Sequence, residues 1–138
     1  MADKLLHGEH VVLEASLGED NVIYVTASGR FTNQHHEQFM DWVNHLQSLI
    51  LTESATQSTV RICADVSGVT HFETKIVRAL RDMMNDNKKY GLKTAIVGAN
   101  NMMQMLLDAI VALTGRTNIR QFPAQKEALD WLQSVSAE

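Results

Sequence analysis

The length, composition and charge of the chain limit both its architecture and its class of function. With 138 residues, 45% of them hydrophobic and 20% charged, it has the size and composition of one soluble domain with one core. A net charge of −4 without a basic block gives no electrostatic reason to expect nucleic acid, and a single cysteine, Cys63, excludes an intramolecular disulfide. We therefore expect a cytoplasmic protein with no transmembrane segment and no nucleic-acid partner.

The first half of the chain predicts an antiparallel hairpin, a helix and a buried strand. β-branched and other apolar residues are dense in three segments, as is typical of strands. These predicted strands are 11–17, 21–29 and 59–66. Apolar residues three and four positions apart predict an amphipathic helix over 33–50, which Thr32 or Asn33 can cap. Residues 1–8 are expected to form a loose tail, followed by one domain over 9–138.

The second half alternates helices with short strands. A short polar loop is predicted next, carrying Asp65, Ser67, Thr70, His71, Glu73 and Thr74. The helix after it is expected to end at Gly91, and a third helix to run from Asn100 or Asn101 to near Gly115. Predicted strands cover 93–98 and 118–122. Pro123 is placed for the first turn of a final helix. The inner face of that helix is expected to carry Ala128, Trp131, Leu132 and Val135. The order ββαβαβαβα predicts an α/β fold with a mixed, mostly parallel sheet, an antiparallel N-terminal edge hairpin and helices packed on it.

This order and several short segments together resemble the STAS superfamily, the domain of sulfate transporters and anti-sigma factor antagonists. The segments are Gly29-Arg30, Asp65-Val66-Ser67-Gly68-Val69-Thr70 and Gly98. The C-terminal segment QFPAQKEALDWL (121–132) is similar to the SpoIIAA-like branch of that superfamily. The resemblance implies a single STAS-like domain of bacterial type that regulates by contact with a protein. Partners of the implied kind are a regulatory kinase, an anti-sigma factor or a transporter component.

The same resemblance implies a phosphorylation motif that is degenerate in this chain. In anti-sigma factor antagonists, a partner kinase phosphorylates the second serine of an Asp-Ser-Ser-Gly quartet. The matching quartet here is Glu73-Thr74-Lys75-Ile76, so Lys75 holds the phosphorylated position and cannot form a phosphate ester. Thr74 keeps a hydroxyl one position earlier and is the candidate phosphorylation site.

The polar residues around the start of the second helix form the candidate site. Asp65, Ser67 and Gly68 are expected to shape the loop without reacting, because no nucleophile elbow is present. Glu73 and Thr74 also lie where side-chain oxygens cap a helix. The predicted partner-binding residues are Thr70, His71, Glu73, Thr74, Lys75, Arg78, Met102 and Met105.

The third helix carries more apolar residues than one buried face requires. Those expected to pack on the sheet are Met103, Leu106, Leu107, Ile110 and Leu113. A second apolar stripe consists of Met102, Met105, Ala109 and Ala112. Two interpretations are open: a deeply covered helix, or an exposed patch for a protein partner, a second copy of the chain or a lipid.

No pattern predicts an enzyme, a metal site or a cofactor. His35 and His36 are adjacent, so on a helix they point about 100° apart and form no recognised ligand spacing. Phosphate-binding loops are absent, although amides at the start of the third helix could hold an anion. The expected function is therefore a non-catalytic interaction module. The alternative is a small-molecule or lipid carrier, because the SpoIIAA-like branch is related in fold to lipid-transfer domains.

Overall fold

One mixed sheet of six strands organises the computed structural model, which describes the backbone of residues 4–7 and all of residues 11–134. The strands are β1 (Lys4–His7), β2 (Val11–Leu17), β3 (Val22–Phe31), β4 (Val60–Phe72), β5 (Leu92–Val97) and β6 (Ile119–Phe122). They follow one another across the sheet in chain order. β1, β2 and β3 pair antiparallel, whereas β3, β4, β5 and β6 pair parallel. The predicted α/β fold with a mostly parallel sheet is confirmed.

The N-terminal strand is an addition to the predicted order. β1 pairs with β2 through Leu6 opposite Leu13 and His7 opposite Val12, within the segment for which the sequence predicts a loose tail. The remainder of that segment lies outside the described residues. A strand of four residues is too short to show the two-residue alternation of apolar and polar side chains. Its pairing depends on the open edge of β2, so the sequence of the segment does not predict a strand.

Helices make the crossovers between the parallel strands. They are α1 (His36–Ser54), which follows a 3-10 turn at Asn33–His35, α2 (Thr74–Asn87), α3 (Asn101–Thr114) and α4 (Gln125–Gln133). Asn100 caps α3, since its Oδ1 accepts a hydrogen bond from the backbone N of Met103 at 2.8 Å. Gly115 ends α3 in the left-handed conformation, with a φ of 71°. The predicted bounds of α3 are confirmed.

Other predicted element ends are wrong. α1 extends to Ser54, beyond the predicted end at residue 50. α2 ends at Asn87 with a right-handed C-cap, so Gly91 does not terminate it. Gly91 instead lies close to another segment, where an added Cβ would come within 2.7 Å of the carbonyl oxygen of Ser58. α4 begins at Gln125, so Pro123 precedes the helix. Val135, expected on the inner face of α4, lies outside the described residues.

Both faces of the sheet are covered, by different helices. α1, α2 and α3 pack on one face and build the larger core with residues of β2, β3 and β4. α4 covers the other face, where Ala128 and Leu132 contact the smaller cluster that contains Cys63. β4 therefore contributes to both layers, as expected of a central strand. The end of this strand and the starts of the neighbouring helices position the candidate site.

Candidate functional site

The segment predicted as a polar loop is the second half of β4. β5 ends at Val97, opposite Asp65, but β4 continues to Phe72. Along this extension β4 pairs with β3 alone, from Gly68 opposite Ser28 to Phe72 opposite Phe31. The loop prediction is wrong because Ser67-Gly68, a typical turn dipeptide, is held extended by the backbone of the ten-residue strand β3. The first candidate partner-binding residues, Thr70 and His71, therefore lie on a paired strand.

An irregularity in the strand pairing lies at Asp65, Ser67 and Gly68. The register of β3 against β4 shifts between Thr26 and Ser28. At this shift, Asp65 Oδ1 accepts hydrogen bonds from the backbone N of Ser67 at 3.0 Å and from its Oγ at 2.7 Å. Gly68 packs so closely that an added Cβ would lie 2.6 Å from the Cβ of Ser28. These contacts hold the backbone locally, within a strand instead of a loop.

Two hydrogen bonds join the start of α2 to the turn before α1. Asn33 Oδ1 accepts from the backbone N of Lys75 at 2.9 Å, and the backbone N of Asn33 donates to Glu73 Oε1 at 2.7 Å. Glu73 is the N-cap residue of α2, yet its side chain makes no hydrogen bond to its own helix. Each side chain therefore accepts a hydrogen bond from a backbone N–H group at the other segment: Asn33 at the start of α2, and Glu73 at the turn before α1. The expectation that Glu73 caps its own helix is wrong, and Asn33 is a site residue that the sequence does not indicate.

The predicted partner-binding residues of β4 and α2 differ in their exposure. Thr70, Thr74, Lys75 and Arg78 are exposed, whereas His71 and Glu73 are half-buried. Lys75 and Arg78 line a crevice of about 390 Å³ between α1 and α2. The opposite wall of this crevice includes His36 and Met40 of α1. Asp82 and Asp86 line the same crevice, so its charge is mixed and suits a partner that carries groups of both signs.

The third helix presents an uncovered apolar face. Its buried residues are Met103, Leu107, Ile110 and Thr114. The second stripe is exposed along its whole length: Met102 at 45%, Met105 at 73%, and also Ala109 and Ala112. Leu113, expected to pack on the sheet, is 75% exposed and extends this face. Within the described chain, the interpretation of a deeply covered helix is therefore wrong.

The described residues provide no site for a metal ion and no activated thiol. Within residues 11–134, no cluster of three His, Cys, Asp or Glu side chains could hold a metal ion. The helices that the structure describes include none long and apolar enough to cross a membrane.

Cys63 is buried, and desolvation together with the charges of Asp65 and Asp20 raises its pKa to about 11. A thiol in this state is a poor nucleophile at neutral pH.

Comparison with known protein families and structures defines the class of protein. The fold is that of the anti-sigma factor antagonists: unphosphorylated SpoIIAA shares 10% identity with this chain at a TM-score of 0.63, over 89% of this chain and 99% of its own. A model of the SpoIIAA-like family matches residues 22–133. The chain belongs to the SpoIIAA-like family. No curated protein matches it.

Further solved structures share the fold. A Shewanella loihica protein described as uncharacterised, with a SpoIIAA-like fold, has 18% identity and a TM-score of 0.58, over 92% of this chain and 98% of its own. SLC26A9 has 16% identity and a TM-score of 0.61 over 82% of this chain. The chain spans only 20% of the length of SLC26A9. At these identities, the likeness extends to the fold alone.

Proposed function

We propose that this protein is a non-catalytic regulatory domain that binds a protein partner in the cytoplasm. The observation that carries the proposal is the apolar face of α3, on which Met102, Met105 and Leu113 are 45%, 73% and 75% exposed. A monomeric soluble protein rarely leaves a large contiguous apolar patch uncovered, and methionine side chains adapt to the shape of a partner. The anti-sigma factor antagonist and the SLC26A9 structure that share the fold support a partner such as a regulatory kinase, an anti-sigma factor or a transporter component.

The second part of the proposed surface is polar. It comprises Thr70, His71, Glu73, Thr74, Lys75 and Arg78. Lys75 and Arg78 give it two cations beside a crevice that Asp82 and Asp86 also line, which favours a partner segment with charges of both signs. Because the Glu73 carboxylate accepts a hydrogen bond from Asn33, its role in partner binding is to fix the position of the start of α2. Docking on this surface does not require a phosphorylated residue.

Thr74 is the position at which a kinase partner would add phosphate. Its side chain is exposed at the first residue of α2, where the helix dipole favours an anion. Lys75 and Arg78 would attract the phosphate, while Glu73 would oppose it. Since Lys75 occupies the position of the modified serine, the motif is degenerate and Thr74 is its remaining hydroxyl.

Native mass spectrometry of the protein purified from its own host tests the partner surface. The test variant combines Met102→Lys with Met105→Lys, and the matched control is Leu51→Lys, on an α1 residue that is 52% exposed. We expect an assembly in the wild type and the control, and the bare chain in the test variant, which should still unfold in one cooperative transition. An integer multiple of the chain mass would identify a second copy as the partner. A bare chain in the wild type, or an assembly that survives both lysines, would contradict the proposal.

A second candidate function, the small-molecule or lipid carrier, is favoured by an internal cavity. A cavity of about 100 Å³ lies between the sheet and α1, α2 and α3. An engineered apolar cavity of about 150 Å³ holds one benzene molecule, so the space here suits a smaller compound and not a lipid with two acyl chains. Of the two carrier types, the cavity supports the small-molecule one.

A further inference from the structure

The cavity between the sheet and α1, α2 and α3 has a largely apolar wall that can adapt its shape. Met83 and Met84 of α2 and Met103 of α3 line it, beside Phe39 and Trp42 of α1. Methionine side chains rearrange at low cost, so the wall can adjust to the shape of a bound molecule. The wall therefore favours the hydrocarbon part of a ligand.

Two polar groups on this wall lack the partners that burial normally requires. Trp42 Nε1 is buried and makes no hydrogen bond within the described chain. Arg116 is only 8% exposed, and the one hydrogen bond of its guanidinium among the described residues runs from Nη2 to Thr94 Oγ1 at 3.1 Å. No carboxylate of the described chain pairs with it, although buried cations are usually paired. Burial lowers the pKa of Arg116 to about 10, so it remains cationic at neutral pH.

Arg116 also connects the cavity with the protein surface. Together with Leu92 it lines both the cavity and a surface crevice that includes Lys88 and Lys89. Lys88 and Lys89 are exposed, so the crevice has cations on its outside and a cation at its inner end. This arrangement attracts an anion toward the mouth of the cavity.

We propose that the cavity binds a short-chain carboxylate, with its hydrocarbon chain among the methionines and its carboxylate on the guanidinium of Arg116. A guanidinium binds a carboxylate through two parallel hydrogen bonds, which satisfies both the buried cation and the anion. By comparison with the benzene-binding cavity, the space accommodates a chain of about four carbon atoms beyond the carboxylate. The inference deepens the second candidate function and rests on it. It does not depend on the partner surface of α3.

Calorimetric titration and thermal melting of the full chain test the site with three probes. Pentanoate has the chain and the charge, 1-pentanol has the chain alone, and inorganic phosphate has the charge alone. We expect pentanoate to bind and to raise the melting temperature, with 1-pentanol at least ~tenfold weaker and phosphate without effect. Arg116→Met should remove the advantage of pentanoate over 1-pentanol, whereas Arg116→Lys should retain part of it.

The controls keep the outcomes distinct. Arg120→Met removes an exposed arginine that stacks on Trp131 and should leave pentanoate binding unchanged. Should Arg116→Met fail to fold, Arg116→Lys gives the comparison instead, because it keeps a cation but loses the planar guanidinium, and it should reduce the advantage of pentanoate over 1-pentanol. Equal binding of pentanoate and 1-pentanol would overturn the role of Arg116 while leaving a carrier function standing. Binding of neither pentanoate nor 1-pentanol would overturn both the role of Arg116 and the carrier function. Phosphate binding as tight as that of pentanoate would place the anion in the surface crevice.

Discussion

The paired hydrogen bonds between Asn33 and Glu73 allow a quantitative test of the site geometry. Asn33→Ala removes the acceptor of the Lys75 backbone N, and Glu73→Ala removes the acceptor of the Asn33 backbone N. Loss of a side-chain cap costs about 1 kcal/mol, so each variant should lower the free energy of unfolding by that amount. For a chain of 138 residues this corresponds to roughly 4 °C in melting temperature.

The double variant should cost less than the sum of the two single variants. Each hydrogen bond holds together the two segments that the other must join, so we expect a coupling of about 0.5 kcal/mol and a total of about 1.5 kcal/mol. Urea unfolding of the four proteins measures this cycle. Gln34→Ala, at an exposed position of the same turn, is the matched control, and Glu73→Gln should be mild because it keeps an acceptor oxygen. An Asn33→Ala variant as stable as the control, or strictly additive costs, would refute the reasoning.

Two further predictions concern a close backbone approach and the buried thiol. Gly98→Ala should destabilise by roughly 3 kcal/mol, against about 1 kcal/mol for Gly115→Ala, in urea unfolding. Both glycines have positive φ, but only at Gly98 would a Cβ meet another group, 2.6 Å from the Cβ of Ser67; equal costs would contradict this. Native Cys63, with a pKa of about 11, should resist iodoacetamide at pH 8 and react once urea is added, as mass spectrometry would show; a native adduct would contradict its burial. Because the unfolded thiol ionises near its ordinary pKa of 9.0 and the folded one near 11, this group should lower stability as the pH rises through that interval.

The sequence predicts the layers of the fold better than the ends of its elements. Alternating strands and helices indicate a parallel sheet because buried strands and amphipathic helices have different periods. The end of β4 is missed because Ser67-Gly68 favours a turn locally, while pairing with β3 decides the conformation. The start of α3, by contrast, is predicted correctly, since Asn100 caps it through a local hydrogen bond.

The sequence indicates the exposed part of the candidate sites but not their buried part. The extra apolar stripe of α3 is visible as a pattern, and Met105 is exposed as that pattern allows. Arg116 follows Gly115 in a polar segment that resembles any surface loop. Its burial arises because the segment after α3 lies against Thr94 of β5, a contact across 22 positions of the chain. Asn33 and Glu73 meet across 40 positions, and nothing in either segment signals the other.

The amide of Asn100 also protects an open sheet edge. Beyond Asp65, β4 has no described strand on the side where β5 ends, and such an edge is a template for a strand from another molecule. Asn100 Nδ2 donates to the carbonyl oxygen of Val69 on this stretch at 3.2 Å, while its Oδ1 caps α3. An incoming strand that pairs with this carbonyl must first displace the residue that starts the helix. Resistance to strand exchange and aggregation at this edge is thus coupled to the integrity of the first turn of α3.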